Sequence, residues 1–240
     1  MQAPDLKNLL TGGDTTNDST STTASASPDR NRQPLLIAVC DTRNAIVGTL
    51  SRTITGITDT FGAAGANALT WTVVKQGNDT WDSGTSEHLR VEVWQGVGLA
   101  VQDGTVTITF SGSTGGDGWS LDQGLWLHRT SPIVQSVAND AADTTHATSG
   151  SATLAATPKN PTYGAIAHGA NEALTAGTNF VVLGAQGGYN TPNHAVGTES
   201  KKVSLSTTID GSWATSSQWT IVGAELRPIA RTLASMGSGG

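Results

Sequence analysis

Charge is scarce in this sequence, and that scarcity limits the partners to be expected. Charged residues occupy 13% of the 240 positions, and 19 acidic against 13 basic residues give a net charge of −6. Proteins that bind nucleic acid usually carry a basic stripe, whereas the longest basic run here is Lys201-Lys202. We therefore expect no nucleic-acid partner.

Cysteines and long apolar runs are also scarce. Cys40 is the single cysteine, so an internal disulfide framework is excluded. No segment approaches the ~18 consecutive apolar residues of a membrane span, and the first thirty residues lack the apolar stretch of a signal peptide. The expectation is a protein made in a cytoplasm, without a membrane partner, that leaves the cell only as part of an assembly.

The motifs of common catalytic and metal sites are absent as well. The five histidines lie far apart in sequence, and neither paired cysteines nor a phosphate-binding glycine loop occurs. No Gly-x-Ser-x-Gly elbow marks a nucleophile, and no spacing pairs two glutamates for glycoside hydrolysis. We therefore predict a protein that is not an enzyme, with no catalytic residue, metal or cofactor.

Serine, threonine, glycine and alanine take the place of the missing charge, and they suit strands and turns. Residues 35–39 form a continuous apolar run, typical of a strand buried on both faces. Apolar and polar residues alternate at 69–73, 89–93 and 106–110, the period of a strand with one buried face. Without a convincing helical stripe, this pattern predicts an all-β, two-sheet antiparallel β-sandwich.

The chain divides into three predicted regions. Residues 1–33 form a polar N-terminal arm with almost no apolar periodicity, which is either flexible or extended on another surface. Leu6, Leu9 and Leu10 form an apolar island that could anchor this arm for attachment. Residues 34–228 form the sandwich domain, and residues 229–240 form a flexible C-terminal tail.

Several phrases of the body resemble a recurrent module of tailed-phage virion proteins. They are NALTWTVV (67–74), LRVEVW (89–94), GTVTITFSG (104–112), SGSATLA (149–155), GSWATS (211–216) and GAELRP (223–228). The order and spacing are similar to a jelly-roll-type β-sandwich found in phage head-decoration, fibre and minor tail proteins. The resemblance covers residues 35–228 and implies a jelly-roll-like fold and a virion location, with no catalytic residue.

Tryptophan is unusually frequent, with seven residues against three phenylalanines and two tyrosines. Trp94 is out of phase with Val91 and Val93, and Trp81 and Trp119 lie in or beside turn-like segments. Exposed tryptophans of this kind can stack on a sugar ring or anchor a protein interface. The alternative is that they pack at the edge of the sandwich beneath a loop. Trp81, Trp94 and Trp119 are therefore the candidate ligand- or partner-contact residues.

The leading hypothesis is a structural component of a tailed-phage virion, above all a capsid decoration protein on the head surface. Its partners would be the major capsid protein or other virion proteins, and it would form a homo-oligomer or array. A second hypothesis is a phage tail or fibre accessory, or a carbohydrate-binding module that recognises host or environmental glycans. A third is an enzyme such as a depolymerase, which two carboxylates facing each other across a groove would support.

Overall fold

The structure, a computed structural model, is built almost entirely from β-strands. It describes residues 5–16, 18–29, 34–44, 52–78, 80–82, 87–141, 145–187 and 194–229. Its strands are β1 (Asp5–Asp14), β2 (Thr20–Thr22), β3 (Leu35–Asn44), β4 (Ile54–Asp59), β5 (Leu69–Gln76), β6 (Thr80–Asp82), β7 (Glu87–Gly98), β8 (Val106–Phe110), β9 (Gly116–Leu125), β10 (Ile133–Asp140), β11 (Ala147–Thr153), β12 (Thr162–His168), β13 (Thr175–Ala176), β14 (Val181–Gly187), β15 (Ala195–Lys201), β16 (Thr208–Ser217) and β17 (Trp219–Leu226).

The strands form four antiparallel sheets. Sheet I has the order β1-β9-β3-β7-β5, with β6 also paired to β7, and sheet II has the order β2-β8-β4. Sheet III has the order β10-β17-β12-β15-β14, and sheet IV has the order β11-β16-β13. No described segment forms a helix long and apolar enough to cross a membrane. The all-β antiparallel sandwich class is confirmed, but four sheets are present where the sequence predicted two.

The two halves of the chain repeat one topology. When β6 is set aside, β1 to β5 correspond in chain order to β10 to β14, and β7 to β9 correspond to β15 to β17. Under this correspondence sheet I has the strand order of sheet III, and sheet II has that of sheet IV. Eight antiparallel strands divided in this way between two sheets form a jelly roll. The described chain therefore contains an N-terminal jelly roll, sheets I and II, and a C-terminal jelly roll, sheets III and IV.

The sheets are stacked in the order II, I, III, IV, with an apolar core in each of the three gaps. β3 shows why, because its successive side chains point to opposite faces. Leu35, Ile37 and Val39 belong to the core between sheets I and II. Leu36 and Ala38 belong to a core that both jelly rolls share between sheets I and III. A third core lies between sheets III and IV.

Sheets I and III face each other with approximately two-fold symmetry. β1 contacts β14, and the corresponding pair, β10 and β5, is also in contact. In the same way, β9 contacts β15 while β17 contacts β7, and β3 contacts β15 while β12 contacts β7. Such reciprocal contacts are the mark of an isologous interface. The single chain is therefore organised like a dimer of jelly rolls.

The structure corrects the predicted arm. Residues 5–14 form β1, which pairs along its length with β9, and residues 20–22 form β2, which pairs with β8. Those residues do lie extended, but the surface that holds them is the protein's own sheets. A boundary between arm and sandwich at residue 34 is therefore wrong for the described part of 1–33. The predicted tail lies outside the described residues except Ile229, whose N–H donates to the Trp126 carbonyl.

Candidate functional site

The most distinctive outer surface is a tryptophan face formed by Trp71, Val73 and Trp94 on β5 and β7. Val73 pairs directly with Trp94, and Trp71 pairs with Gly96, so the two indoles are diagonal neighbours on one side of sheet I. This side continues beyond the edge of sheet II, where β5 contacts β4. Both tryptophans are half-buried, and Val73 is 45% exposed.

Trp71 is held in one orientation by a buried carboxylate. Its Nε1 donates to Asp59 Oδ2 at 3.0 Å. Asp59 also accepts from the backbone N–H groups of Phe61, Ala68 and Leu69 at 2.8–3.1 Å. A charged acceptor with this many donors makes strong hydrogen bonds. The indole is therefore fixed to the loop that precedes β5.

Trp94 is held in the same way by Glu92. Trp94 Nε1 donates to Glu92 Oε2 at 3.0 Å, and the backbone N–H of Ile54 donates to Oε1 at 3.2 Å. Burial raises the pKa of Glu92, while the bonds from Trp94, Ile54 and Gln76 lower it in part. Each indole N–H of the tryptophan face thus donates a hydrogen bond to a carboxylate of the protein itself.

A glycine seats the ring of Trp71 on the sheet. A Cβ atom at Gly96 would lie 2.8 Å from Trp71 Cη2 and 2.9 Å from Cζ2, closer than non-bonded carbon atoms approach. Only glycine therefore lets the indole lie against the backbone of β7. The result is a partly exposed aromatic surface that packs against the core between sheets I and II and that can stack on a sugar ring or anchor a protein partner.

The other predicted contact residues have different outcomes. Trp119 is 4% exposed and belongs to the core between sheets I and II, so its prediction as an exposed contact is wrong. Its ring lies against Gly12 of β1, which leaves room for it. Trp81 lies in β6, where its backbone pairs with His88 of β7. The side chain of Trp81 lies outside the described part of the structure.

The predicted anchor leucines pack inside the protein. Leu6 is 6% exposed and lies in the core shared by the two jelly rolls. Leu9 and Leu10 pack against the core between sheets I and II. These side chains hold β1 in place within the protein itself, and their predicted role in attachment to another particle stays a prediction.

A second group of functional interest is a polar cluster inside the interface of the jelly rolls, formed by Asn8, Ser120, Asp122, Tyr163 and Thr198. Tyr163 donates to Asp122 Oδ2 at 3.0 Å, and Asn8 Nδ2 donates to Asp122 Oδ1 at 2.9 Å. The hydroxyls of Ser120 and Thr198 lie 3.0 Å apart. Burial raises the pKa of Asp122 to about 6, against the effect of its hydrogen-bond donors. The sequence reasoning missed this cluster, because its members come from four strands that are distant in sequence.

An acidic row crosses one end of the N-terminal jelly roll. Asp117 pairs with Asp14 on one neighbouring strand and with Asp41 on the other. Burial, with the charges of Asp14 and Asp18, raises the pKa of Asp117 to about 7, although Ser21 donates to it at 2.9 Å. Among the described residues, no three histidine, cysteine or carboxylate side chains are arranged to hold a metal ion.

Two titratable groups are buried within the C-terminal jelly roll. Glu199 accepts from the N–H of Gly177 at 3.0 Å, and burial raises its pKa to about 8. His168 stacks on Trp213 with ring centroids 4.6 Å apart, and burial lowers its pKa to about 4. At neutral pH both side chains are therefore mainly uncharged, as groups taken out of water should be.

Comparison with known proteins adds no argument about this chain. No family model and no curated protein matches this chain. An X-ray structure of Melon necrotic spot virus is similar over 97% of this chain and 100% of that one, with 10% identity and a TM-score of 0.25. A TM-score this low carries no argument about function, so the resemblance to tailed-phage modules stays a prediction.

Proposed function

We propose that this protein is a structural component of a virion. The observation that carries the proposal is the fusion of two jelly rolls through one continuous core, since jelly rolls are a common building unit of viral capsids. The shared core and the buried polar cluster make the two halves one rigid body. The resemblance of residues 35–228 to tailed-phage virion modules supports the same role, and we assign the chain no catalytic step.

Within that role we propose capsid decoration, in which the protein binds the outer lattice of a phage head. The described part of residues 1–33 is committed to sheets I and II, so attachment is assigned to the outer face of sheet II. Sheet II presents neutral hydroxyls there, with Thr22 Oγ1 3.1 Å from Thr107 Oγ1. A lattice repeats such a contact many times, and multivalency raises avidity steeply.

The experiment is an add-back assay on purified particles. Heads depleted of the protein by chelation or mild denaturant are incubated with the purified chain, and occupancy is measured by mass spectrometry and electron microscopy. Saturable, symmetric rebinding is expected, and Thr22→Lys with Thr107→Lys should reduce it. Thr208→Lys on sheet IV is the matched control. Absence of the chain from purified particles would refute the virion role itself.

A second candidate function is glycan binding by the tryptophan face. Two indoles whose orientation is fixed by Asp59 and Glu92 form a surface that needs no rearrangement to stack on sugar rings. Trp94→Ala should weaken binding by about threefold to tenfold, the scale of one aromatic stacking contact. Trp126→Ala is the control, because Trp126 is 37% exposed but lies in the connection between the jelly rolls.

The readout is a glycan array followed by titration of any hit with tryptophan fluorescence. Equal binding by the Trp94 and Trp126 variants would place the glycan elsewhere. No hit on a broad array would remove this second function and leave the virion role untouched.

A further inference from the structure

The interface between the jelly rolls is two-fold symmetric in its backbone but not in its chemistry. Pro34 and Pro161 occupy equivalent positions, because their carbonyls accept from the N–H groups of Gly124 and Leu226, at 2.9 and 2.8 Å. The strand registers then make Leu36 equivalent to Tyr163 and Asp122 equivalent to Ala224. These equivalences allow the two sides of the interface to be compared residue by residue.

One side is polar and the other is mainly apolar, with Ser136 at the position equivalent to Asn8. The Asp122–Tyr163 hydrogen bond lies on the polar side, and its symmetry mate is the pair of Ala224 and Leu36. The registers of β7 and β15 extend the comparison. Ser120 and Thr198, which share a hydrogen bond, correspond to two valines of the shared apolar core, Val222 and Val93.

We propose that this polar side is a pairing code, which makes each jelly-roll face fit the face of the other half and reject a second copy of itself. If two N-terminal jelly rolls met, Asp122 would face Leu36 and lose the Tyr163 donor. If two C-terminal jelly rolls met, the Tyr163 hydroxyl would face Ala224. Only the native pairing joins the carboxylate to the hydroxyl.

The strength of the code follows from burial. Asp122 and Tyr163 are fully buried, so water cannot replace a lost partner. In an N–N pair Asp122 would keep its donor Asn8, which lies in the same jelly roll, but would lose the Tyr163 donor. Each buried hydrogen bond lost in this way should weaken a like-with-like pairing roughly tenfold. The device disfavours wrong partners because a buried polar group loses its hydrogen bond across the interface, as commonly happens in specific interfaces.

The test starts from the intact folded chain. A protease site is inserted at the exposed residues Arg129–Thr130, the folded protein is cut, and the two halves are unfolded and refolded together. Native mass spectrometry then counts the pairs. The wild type should give the N–C pair alone, whereas appreciable N–N or C–C pairs would overturn the proposal.

Substitutions test separately how C–C pairs and N–N pairs are excluded. Tyr163→Phe should admit C–C pairs while N–N pairs stay absent, and Asp122→Ala should do the reverse. Asp122→Ala with Tyr163→Leu copies the Ala224–Leu36 pair onto the polar side and should admit both. If the double variant still forms only N–C pairs, the polar side does not set the pairing.

A measurement on uncut chains guards against failure of the halves to refold. A short connection gives the tethered halves an effective concentration on the order of millimolar. The uncut double variant, refolded at a comparable concentration, should form dimers and larger species by light scattering. The wild type should form none through this interface, and equal oligomer content in the two proteins counts against the code.

Discussion

At the scale of single residues, Glu199 makes the clearest prediction about pH. Its pKa rises from 4.5 to about 8 on folding, so the folded state holds a proton that the unfolded state releases between those values. Stability linked to this group is therefore present below pH 4.5 and is lost as the pH rises toward 8. Glu199→Gln should raise the Tm above that of the wild type at pH 8.5 and change it much less at pH 5.

Glu225 is the matched control for that substitution. Its pKa is lowered, because the hydrogen bonds from Gln135, Lys159 and Asn160 outweigh the burial that would raise it. Its contribution to stability is present at neutral pH and is lost on acidification. Glu225→Gln should therefore lower the Tm at pH 8.5. Changes of the same sign in both variants would contradict the assignment.

Gly96 tests the tryptophan face directly. An added Cβ would collide with the Trp71 ring at 2.8 Å, so Gly96→Ala should cost about 1–3 kcal/mol of unfolding free energy and shift the tryptophan emission. Gly56 is the control, since a Cβ there would meet nothing within 4 Å. Urea titration followed by fluorescence measures both quantities. Equal stability of the two variants would show that Trp71 is not seated on Gly96.

Prediction of single residues from sequence succeeded where the alternation of a strand decides which way a side chain points. It failed where glycines within a strand resemble a turn. Trp94 points away from Val91 and Val93, as its phase predicts, because the strand alternates. Trp119 was assigned to a glycine-rich turn, yet Gly116 and Gly118 lie within β9. Glycine marks a turn in many sequences, but inside a sheet it also marks a close approach by a neighbouring side chain. Only the folded neighbours distinguish the two cases.

At the scale of secondary-structure elements, β1 is integral to both cores that it touches. Leu6 faces the shared core, and the next residue, Lys7, is exposed. Leu6→Ala should therefore cost roughly 2–5 kcal/mol, the range for a buried leucine, and Lys7→Ala should cost little. Chemical denaturation measures both, and a Leu6 variant as stable as the Lys7 variant would restore the idea of a detached arm.

Strand prediction from sequence depended on the local pattern of apolar residues. The strands that this pattern does not reveal are defined by long-range pairing. The apolar run at 35–39 was correctly read as a strand buried on both faces, because that property is local. The dipeptide Asp210-Gly211 is typical of a turn, yet it lies inside β16, where a Cβ on Gly211 would fall 2.5 Å from Ile166. β1, β2 and β10 carry too few apolar residues to be recognised as strands from sequence before their partner strands are known.

At the scale of the whole molecule, the duplication was invisible in sequence for a physical reason. The repeat preserves strand order and register, and these tolerate almost any residue of suitable polarity. Equivalent positions hold Leu36 and Tyr163, or Asp122 and Ala224. Alignment by identity fails at such positions, and they are the same ones that make the interface chemically asymmetric. The duplication is therefore visible in the strand topology, although the residue identities no longer show it.

The shared core predicts how the molecule unfolds. Sheet I would expose Leu36, Ala38 and Val91 if the C-terminal jelly roll melted first, so neither half keeps a covered sheet without the other. Calorimetry should show one transition, with equal calorimetric and van't Hoff enthalpies. Val222→Asp would place an unpaired carboxylate in this core and should lower or split the transition, while Val203→Asp, at a site 68% exposed, should leave it unchanged. Two wild-type transitions would mean that the jelly rolls fold as independent domains, since a common core forces them to unfold together.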